Sequence, residues 1–385
     1  MTDEQDAPDM EPENEVKSPK SKKIPKTIGE EQAEKFHALL KDLDPEETKI
    51  GLYSHRFPDP DAIGSMMGMS WFLKKAYGLS STMIYDGEVA HPQNKIMCGL
   101  LEPQLFKVDD LTEEQIKSHK LNILLDTIPS NAGIGQHEVK FDLVIDHHKD
   151  LPSDFKGKVF HRKSGSCCAI VYDLIKKILS PEAENWFDYD VDADTKVATG
   201  LITGVVTDTG YLLADDTTEL EFQAYTELFQ YRQSDYLKQI VFFKRPQFWI
   251  LKKATACSEA DVDDEGIAIV GLGLIPDSQR DIIADMAEEM VSWASVETAI
   301  AFGVVGGDRV EGSVRSLNPS VSVSELCKSL GGKYGTGGGK HGKGAYRRTL
   351  GGLSIDPDEE EEDIQEAWDS INKREIKRLR RTIKK

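Results

Sequence analysis

Short apolar runs that end in an acidic or histidine residue most strongly constrain how this chain can fold. Each run is about five residues long and is apolar almost throughout, instead of alternating with polar residues. Strands of that kind are buried on both faces, which is typical of a parallel sheet covered by helices. The predicted strands are residues 50–54, 81–85, 122–126 and 142–146, and the predicted helices are 62–77, 166–179 and 194–206. The pattern therefore predicts an α/β domain with a mostly parallel sheet.

A second set of elements follows a long stretch that contains few turn-forming residues, residues 219–255, which predicts a helical linker. The elements predicted beyond it are a strand at 266–270, a helix at 279–291, a strand pair at 298–305 and 310–314, and a helix at 321–330. The residues Gly306-Gly307-Asp308 between the paired strands have the turn chemistry of a hairpin. We therefore predict a first α/β domain at 31–218, a helical linker at 219–258 and a smaller α/β domain at 259–355.

Both ends of the chain are highly charged. Residues 1–30 combine acids and lysines with few bulky apolar residues, which predicts a disordered tail. Residues 356–385 begin with an acidic run and end with a basic stretch. Trp368, Ile371, Leu379 and Ile383 recur there at near-helical spacing, which predicts an amphipathic helix. Its basic end is more typical of a solvated helix face than of a nucleic-acid contact.

The overall composition excludes several classes of protein. The chain has 47 basic and 67 acidic residues and a formal net charge of −20, which argues against a general nucleic-acid coat but permits a locally basic pocket. No apolar run approaches the roughly 18 residues of a membrane helix, and the N-terminus lacks a signal-peptide pattern. The five cysteines show no CxxC spacing, which argues against a disulfide scaffold or a zinc ribbon. We expect a cytoplasmic protein with no membrane partner.

Acidic and histidine side chains stand at the ends of four predicted elements of the first domain. These residues are His55, Asp59, Asp61, Asp126, Asp146, His147, His148 and Asp208. In open parallel sheets, ligands bind at the carboxyl ends of the strands, so these segments can converge there. Carboxylates that lie so close together cannot all remain ionised unless positive charge neutralises them.

Two divalent cations would provide that neutralisation. Oxygen-rich shells that include imidazole suit manganese or magnesium better than structural zinc, so we expect two divalent cations, preferably Mn²⁺ with Mg²⁺ as the alternative. Two such ions about 3.5–4 Å apart are the usual means of hydrolysing phosphate esters. Each residue alone has an ordinary interpretation, such as a surface histidine, a turn or a helix cap. The ordered combination favours a two-cation phosphoester hydrolase.

These residues resemble the four motifs of the DHH phosphoesterase family, which is named after its Asp-His-His triplet. The matching stretches are His55-x-x-x-Asp59-x-Asp61, Asp126, Asp146-His147-His148 and Asp208-Thr209-Gly210. The resemblance implies a parallel-sheet catalytic domain joined by a helical linker to a smaller α/β domain, with the active site in the cleft between them.

The resemblance also implies a role for each residue. One cation would be held by His55, Asp59 and Asp126. The other would be held by Asp61, Asp126, His147 and Asp208. Asp126 would thus be shared, Asp146 would orient His147, and His148 would act catalytically on the scissile phosphate or on a leaving oxygen.

A basic, glycine-rich segment gives the second domain a candidate substrate site. Residues 331–353 contain lysines and arginines but no acid, and consecutive glycines let backbone amides approach an anion. Arg315 lies just upstream and would clamp a phosphate bidentately. Taken alone, a glycine-rich stretch is more often a flexible surface loop.

This segment resembles the C-terminal DHH-associated domain of the same family. Gly312-Ser313-Val314-Arg315-Ser316 is similar to its substrate-binding strand, and the glycines at 337–339 are similar to its glycine-rich motif. The family commonly has histidine directly after these glycines, whereas here Lys340 intervenes before His341. The resemblance implies substrate contacts from Arg315, Ser316, Gly337, Gly338, Gly339, Lys340, His341 and Arg347.

The best overall resemblance is to the family branch that degrades very short RNAs and dephosphorylates adenosine 3′,5′-bisphosphate. We therefore expect a manganese-dependent phosphoesterase whose partners are short RNA or DNA oligonucleotides or phosphorylated nucleotides, with a homodimer left open. The enzyme alternatives are a cyclic-dinucleotide phosphodiesterase and a pyrophosphatase or exopolyphosphatase. The non-enzyme alternative is an inactive relative that serves as a replication scaffold, which the presence of every expected ligand disfavours.

Overall fold

A computed structural model of the chain describes residues 27–148, 155–179, 186–340 and 342–383. The described residues form two lobes, each built around a six-stranded sheet. The predicted α/β class, with a parallel sheet in the first half of the chain, is confirmed. Among the described residues, no helix combines the length and the apolarity that crossing a membrane requires.

The first lobe comprises residues 27–241. Its elements are α1 (Ile28–Leu40), β1 (Lys49–Tyr53), α2 (Pro60–Tyr77), β2 (Ser80–Tyr85), α3 (Pro92–Leu101), β3 (Leu105–Lys107), α4 (Glu113–Lys117), β4 (Leu121–Leu125), β5 (Leu143–Asp146), β6 (Lys158–His161), α5 (Cys167–Ile178), α6 (Asp192–Asp208), α7 (Glu219–Leu228) and α8 (Ser234–Val241). The strands are all parallel and lie in the order β3-β2-β1-β4-β5-β6. The chain adds β2 and β3 on one side of β1 and then β4, β5 and β6 on the other side, so the strand order reverses between β1 and β4.

Helix α1 begins inside the segment that the sequence predicted to be a tail. Thr27 and Glu30 form a capping box at its start, and Phe36 and Leu40 are buried in the core of the first lobe. The predicted tail at 1–30 therefore extends too far by a few residues, and its remainder, residues 1–26, lies outside the described residues.

The second lobe comprises residues 247–383. Its elements are α9 (Gln247–Ser258), β7 (Asp261–Val262), β8 (Ile267–Ile275), α10 (Ile282–Met290), β9 (Thr298–Val305), β10 (Arg309–Ser316), α11 (Val323–Gly331), β11 (Gly335–Lys340), β12 (Lys343–Thr349) and α12 (Glu361–Ile383). The strands lie in the order β11-β12-β10-β9-β8-β7, and only the β8–β9 pair is parallel. Helices α9 and α10 cover one face of this sheet, and α11 and α12 cover the other.

The stretch predicted as a linker is helical, but its helices divide between the two lobes. Ile240 of α8 is buried in the core of the first lobe, whereas Trp249 of α9 is buried in the core of the second. The chain therefore passes from one lobe to the other at residues 242–246, a segment without helix.

Two further expectations for the second lobe need correction. The glycine-rich segment is a β-hairpin, β11 with β12, in place of the flexible loop that such a composition usually indicates. The C-terminal segment does form the predicted amphipathic helix, but α12 is no separate tail. It buries Trp368, Ile371 and Leu379 against the sheet, so it forms part of the core of the second lobe.

Candidate metal centre

The candidate site lies at the carboxyl ends of β1 and β4, the two neighbouring strands between which the strand order reverses. Connections leave such a pair of strands toward opposite faces of the sheet, so a crevice opens between their ends. Tyr53 ends β1 two residues before His55, and Leu125 ends β4 directly before Asp126. The topology thus brings together residues that are some 70 positions apart in the sequence.

Asp59 begins helix α2. Its Oδ1 atom accepts hydrogen bonds from the backbone amides of Asp61 and Ala62, each at 3.0 Å, and Pro60 occupies the first helical position. Both features are typical of a helix N-terminus. The first turn of α2 then directs Asp61 inward, where its side chain is only 1% exposed.

Asp126 adopts a left-handed backbone conformation, with φ at 58°. Aspartate tolerates this region better than most residues, and strained backbone of this kind concentrates at functional sites. Its buried carboxylate lies between two imidazoles: Oδ2 is 3.7 Å from Nε2 of His55, and Oδ1 is 3.3 Å from Nε2 of His147.

A close crossing of α2 and α6 brings Asp61 and Asp208 into the same site. A Cβ atom added at Gly64 would lie 2.5 Å from the Gly200 carbonyl oxygen, and one added at Gly204 would lie 2.8 Å from Oδ1 of Asp61. The two helices therefore touch along glycine surfaces. Nε2 of His147 consequently lies 3.3 Å from Oδ2 of Asp208 and 3.9 Å from Oδ2 of Asp61.

The six predicted cation ligands form two clusters, in each of which the ligand atoms lie within 4.8 Å of one another. The clusters are His55 with Asp59 and Asp126, and Asp61 with His147 and Asp208. Asp126 also lies 3.3 Å from His147 and so connects the two. The structure thus brings together all six residues that the motifs singled out. Asp126 also forms a further group of this kind with Asp146, His147 and His148.

The electrostatics of the cluster favour added positive charge. Burial alone would lower the pKa of His147, but the nearby carboxylates, Asp126 first among them, outweigh burial and raise this pKa to about 10. Burial would also lower the pKa of His55, but the carboxylates of Asp126 and Asp59 outweigh burial and hold this pKa well above its usual value. Burial, followed by the charges of Asp126 and Asp208, raises the pKa of Asp61. Each of these shifts adds or retains protons where negative charge is crowded.

Unpaired buried atoms show that divalent cations would fit this donor set. Oδ1 of Asp126 and Nε2 of His147 are buried and make no hydrogen bond to any described residue. Buried polar atoms without partners are costly, and a cation would give both atoms a partner. Carboxylates combined with imidazoles are ligands that manganese and magnesium accept.

The expected role of Asp146 is wrong in one respect. Its Oδ1 atom accepts a hydrogen bond from Nδ1 of His148 at 2.7 Å, whereas the ring of His147 is held through Nδ1 by the carbonyl oxygen of Ser164 at 3.0 Å. The reason is the two-residue period of extended chain, which places Asp146 and His148 on one side and His147 on the other. Asp146 therefore positions His148, the residue expected to act on the phosphate.

Asp61 has a structural contact that the motif did not suggest. Its two carboxylate oxygens accept hydrogen bonds from the backbone amides of Cys167 at 2.6 Å and Cys168 at 2.9 Å. These amides open helix α5, where a carboxylate also interacts favourably with the helix dipole. Asp61 thus links the start of α2 to the start of α5 while facing His147.

Comparison with known proteins gives a family match within the first lobe. Residues 49–205 match the DHH family, N-terminal domain. This part of the chain is thus similar to a DHH domain. That match contains His55, Asp59, Asp61, Asp126 and the Asp146-His147-His148 triplet, and Asp208 follows three residues after its end.

Two curated relatives and one solved structure are also similar to this chain. An uncharacterized protein of Methanocaldococcus jannaschii is 25% identical over 81% of this chain and 60% of its own length. A probable manganese-dependent inorganic pyrophosphatase of Lactiplantibacillus plantarum is 23% identical over 48% of this chain and 56% of its own length. This chain thus spans less than two thirds of either relative.

The crystal structure of an exopolyphosphatase-related protein from Bacteroides fragilis matches with a TM-score of 0.64 at 16% identity, covering 91% of this chain and 98% of that one. At this identity the likeness concerns the fold, and it covers both the DHH domain and the second lobe.

In the second lobe, the predicted substrate-binding residue Arg315 is bound by its own neighbours. Its guanidinium donates to Glu288 at 2.5 Å, to the Ser313 hydroxyl at 2.8 Å and to the Val314 carbonyl at 3.0 Å. Ser316 exchanges a hydrogen bond with Thr298 at 2.9 Å. Both side chains are thus bound within the second lobe, and the structure does not bring them together with the metal centre.

The consecutive glycines of β11 differ from one another in their surroundings. A Cβ atom at Gly337 would lie 2.0 Å from the Cys327 carbonyl oxygen, and one at Gly339 would lie 2.3 Å from that of Lys343. A Cβ atom at Gly338 would meet nothing within 4 Å, because Gly338 faces a cavity. Gly337 and Gly339 therefore serve close packing, and Gly338 is the glycine with open space beside it.

Arg347 is the remaining predicted residue that lines this cavity, which has a volume of about 460 Å³ and lies between β10, β12 and α10. Its side chain is 55% exposed, and its Nε atom lies 3.6 Å from Glu311. His341 lies outside the described residues, as does the side chain of Lys340.

Two residues that line the space between the lobes were missed in the sequence. Phe57 lies in the loop between His55 and Asp59, and Arg280 lies just before α10. The Arg280 guanidinium is 5.0 Å from the centroid of the Phe57 ring. No motif marks Arg280, whereas the position of Phe57 between two metal-centre residues was a signal that could have been used.

Proposed function

We propose that this chain is a metal-dependent phosphoester hydrolase that acts at the centre formed by the two ligand clusters. The observation that carries the proposal is the position of Asp126, which belongs to one cluster and lies 3.3 Å from Nε2 of His147 in the other. Its Oδ1 atom is buried without a hydrogen bond to any described residue. His55, Asp59 and Asp126 would hold one divalent cation. Asp61, Asp126, His147 and Asp208 would hold the other. The Lactiplantibacillus relative is named as a probable manganese-dependent enzyme, which supports manganese as the metal.

Two cations at this position would neutralise the charge on a phosphate and activate water at neutral pH. The protein itself would contribute a proton donor for the leaving oxygen, which the cations do not provide. His148 is 37% exposed and lines a cavity of about 380 Å³ together with His55, Asp59 and Asp126. With Nδ1 bound to Asp146, His148 is positioned beside this cavity and would donate a proton to a leaving oxygen.

We propose further that the substrate is a short, phosphorylated nucleotide. The volumes of the cavity at the metal centre and of the cavity in the second lobe, about 380 and 460 Å³, suit molecules of nucleotide size. Arg347 lines the second-lobe cavity, and aromatic and apolar surface contributed by Tyr346 and Ile283 lies beside it. A mixed lining of this kind suits a base or a sugar better than it suits bare polyphosphate.

A second candidate is hydrolysis of pyrophosphate or polyphosphate. It is favoured by the names of the proteins to which the chain is similar, a probable inorganic pyrophosphatase and an exopolyphosphatase-related protein. It predicts that a substrate without a nucleoside is turned over at least as fast as a dinucleotide. The cyclic-dinucleotide alternative predicts a preference for the closed ring.

One substrate panel separates these candidates. The full chain would be assayed with Mn²⁺, Mg²⁺ and a chelator on diadenylate, a 24-nucleotide RNA, a cyclic dinucleotide, adenosine 3′,5′-bisphosphate, pyrophosphate and bis(4-nitrophenyl) phosphate. We expect hydrolysis of the short nucleotides and the nitrophenyl ester, best with Mn²⁺ and abolished by the chelator. A faster reaction with pyrophosphate would favour the second candidate. The absence of metal-dependent hydrolysis of any of these compounds would refute the proposed function and favour an inactive relative.

A further inference from the structure

One short segment of the chain, residues 164–168, holds two ligands of the same cluster. The carbonyl oxygen of Ser164 accepts a hydrogen bond from Nδ1 of His147 at 3.0 Å. At the other end of the segment, the two amides that open α5 donate to the carboxylate of Asp61 at 2.6 and 2.9 Å. His147 and Asp61 belong to the cluster that Asp208 completes. The segment therefore fixes the separation of an imidazole and a carboxylate that would share one cation.

The same segment packs against the residue that follows the third ligand of this cluster. A Cβ atom added at Gly165 would lie 2.6 Å from the methyl carbon of Thr209, and Thr209 directly follows Asp208. Thr209 is fully buried, and its hydroxyl donates to the Val205 carbonyl at 2.6 Å. Thr209 therefore has little room to move away from Gly165. The 164–168 segment thus touches the supports of all three ligands in the cluster.

Glu221 of α7 holds this segment in place. Its side chain is fully buried, although it belongs to neither ligand cluster. Its Oε1 atom accepts hydrogen bonds from the Gly165 amide at 2.9 Å and from the Ser164 hydroxyl. Its Oε2 atom accepts from the amide and the hydroxyl of Thr218, at 2.6 and 2.7 Å. One carboxylate thus joins the 164–168 segment to the start of α7.

The four donors around Glu221 require a carboxylate. An ionised carboxylate only accepts hydrogen bonds, so each of its oxygens can serve two N–H or O–H donors. A glutamine has a single acceptor oxygen and would leave one pair of donors facing its NH2 group. Buried donors that lose their acceptor are costly. Loss of this side chain would therefore leave the 164–168 segment without its attachment to α7.

The other cluster has different supports. Nδ1 of His55 bonds to the carbonyl oxygen of the next residue at 2.9 Å, and Asp59 is held by the backbone amides that open α2. These contacts involve neither the 164–168 segment nor α7. A change at Glu221 should therefore reach one cluster and spare the other.

We propose that Glu221 is a positioning residue that sets the affinity of one cation site and not of the other. The proposal rests on the two-cation centre of the proposed function and extends it to a residue beyond the last sequence motif. Glu221 acts through the 164–168 segment, which keeps Asp61, His147 and Asp208 at the spacing that a shared cation requires. Partners of this kind typically contribute 10–100-fold to the affinity for a metal ion.

The test measures manganese binding at each site separately. Asp59→Asn should leave a cation only at the cluster with His147, and Asp208→Asn should leave one only at the cluster with His55. In the Asp59→Asn chain, adding Glu221→Ala should weaken the Kd for Mn²⁺ at least about tenfold. In the Asp208→Asn chain, the same addition should change the Kd by less than about twofold. Calorimetric titration of the metal-free full chains gives these values. Equal weakening in the two backgrounds, or no weakening in either, overturns the proposal.

Two single hydroxyl deletions form a matched pair that also serves if Glu221→Ala does not fold. Ser164→Ala removes the donor on the segment, and Thr218→Ala removes the donor at the start of α7. In the Asp59→Asn chain, Ser164→Ala should weaken the Kd for Mn²⁺ about threefold or more, because only one of the two bonds to the segment is lost. Thr218→Ala should lower the melting temperature but keep the Kd within about twofold. If Thr218→Ala weakens binding as much as Ser164→Ala does, the effect follows stability and the proposal is wrong.

Metal binding is measured without substrate, so this result is separate from the proposed activity. If the wild type hydrolyses nothing in the substrate panel but the site-selective change in Kd holds, the proposed function fails and the role of Glu221 stands. If the panel is hydrolysed but Glu221→Ala and Ser164→Ala bind Mn²⁺ as the parent chain does, the role of Glu221 is wrong and the proposed function stands. A wild type that binds no Mn²⁺ overturns both.

Discussion

At the scale of the single residue, Asp126 is the point on which both ligand clusters converge. We expect Asp126→Asn to bind neither cation, because the shared carboxylate loses its charge, whereas Asp59→Asn should lose one cation and keep the other. Asparagine tolerates the left-handed backbone at this position, so the fold should survive the change. Manganese would be counted by atomic emission after equilibrium dialysis of each protein, with thermal melting as the check on folding. Two bound ions in Asp126→Asn would mean that the clusters are independent of the shared carboxylate.

His148 and Asp146 give a second prediction at this scale. His148→Gln should reduce kcat by about 10²–10⁴, the usual range for a lost acid–base group, while the manganese content stays near that of the wild type. Asp146→Asn should reproduce part of that loss, because the Asp146 carboxylate holds the His148 ring at 2.7 Å. Both kcat and bound manganese would be measured on each variant. Loss of manganese from Asp146→Asn would restore the role that the sequence suggested, orientation of His147.

Much of the metal centre could be predicted from the sequence because all of the expected cation ligands belong to the sequence motifs. All six expected ligands lie in the two clusters, since each follows a strand or lies at an end of a helix whose position the apolar runs predict. The amides of Cys167 and Cys168 on Asp61, and the Ser164 carbonyl on His147, were not predictable. These partners are backbone groups, which every residue has whatever its side chain, so the sequence does not indicate which of them will bind.

At the scale of the element, the hairpin β11–β12 shows that adjacent glycines can serve different purposes. Gly337→Ala should lower the free energy of unfolding by about 1–3 kcal/mol, because the new methyl group would collide with the backbone of α11 at Cys327. Gly338→Ala should change it by less than about 0.5 kcal/mol, since open space lies beside that residue. Urea unfolding followed by tryptophan fluorescence measures both variants. Equal destabilisation would show that the strand requires glycine for its backbone conformation and not for packing.

Helix α12 is anchored by a buried charge. The Glu375 carboxylate is fully buried and lies 2.5 Å from both Arg348 and Arg378. Burial alone would raise the pKa of Glu375, but the two guanidinium groups outweigh it and hold the pKa below its usual value. The stabilisation is therefore complete above the unfolded-state pKa, about 4.3, and is lost as the pH falls through the lower, folded-state pKa.

Glu375→Gln should accordingly destabilise the protein near pH 7 by about 3–5 kcal/mol, as expected when one partner of a buried ion pair is removed. The difference from the wild type should shrink as the pH falls below about 4.3. Unfolding measured from pH 7 to pH 3 tests both statements. Glu366→Gln, on the exposed side of the same helix, is the control and should match the wild type throughout.

The elements themselves were predictable to different degrees. Strands β1, β4 and β5 lie within one residue of their predicted limits, because a buried apolar run has few alternatives. Strand β11 was not predicted, because glycine lacks strand propensity and this strand depends on its pairing with β12 and on its contact with α11. The docking of α12 was also missed, since its basic end suggested solvent exposure while Arg380 in fact pairs with Asp261 and Asp263.

At the scale of the whole molecule, the size of the cavities supports the proposed short substrate. The cavities at the metal centre and in the second lobe have volumes of nucleotide size, and the net charge of −20 would repel a longer polyanion outside them. We expect kcat/KM to be highest for di- and trinucleotides and to fall by at least tenfold for a 24-nucleotide single strand. A length series of end-labelled RNA, resolved by electrophoresis, measures this directly. Processive digestion of the 24-nucleotide RNA would contradict the short-substrate interpretation.

The existence of two lobes was predictable from the sequence, but the way they meet was not. The contact of Phe57 with Arg280 joins residues more than 200 positions apart, and neither residue belongs to a periodic pattern. Packing between lobes depends on tertiary geometry that no local rule describes. The pairing of Arg315 with Glu288 was not predictable for the same reason, because Glu288 lies on a different element, α10. The expected substrate contact of Arg315 stays a prediction.

The single passage between the lobes at residues 242–246 has an evolutionary consequence. Every predicted cation ligand precedes that passage, whereas the predicted substrate-binding residues, Arg347 among them, follow it. A gene encoding such a chain can therefore exchange its second half, or accumulate changes there, while the half with the candidate metal centre is inherited unaltered. Descendants of one ancestor can in this way diverge in the compounds they bind while keeping the same metal centre.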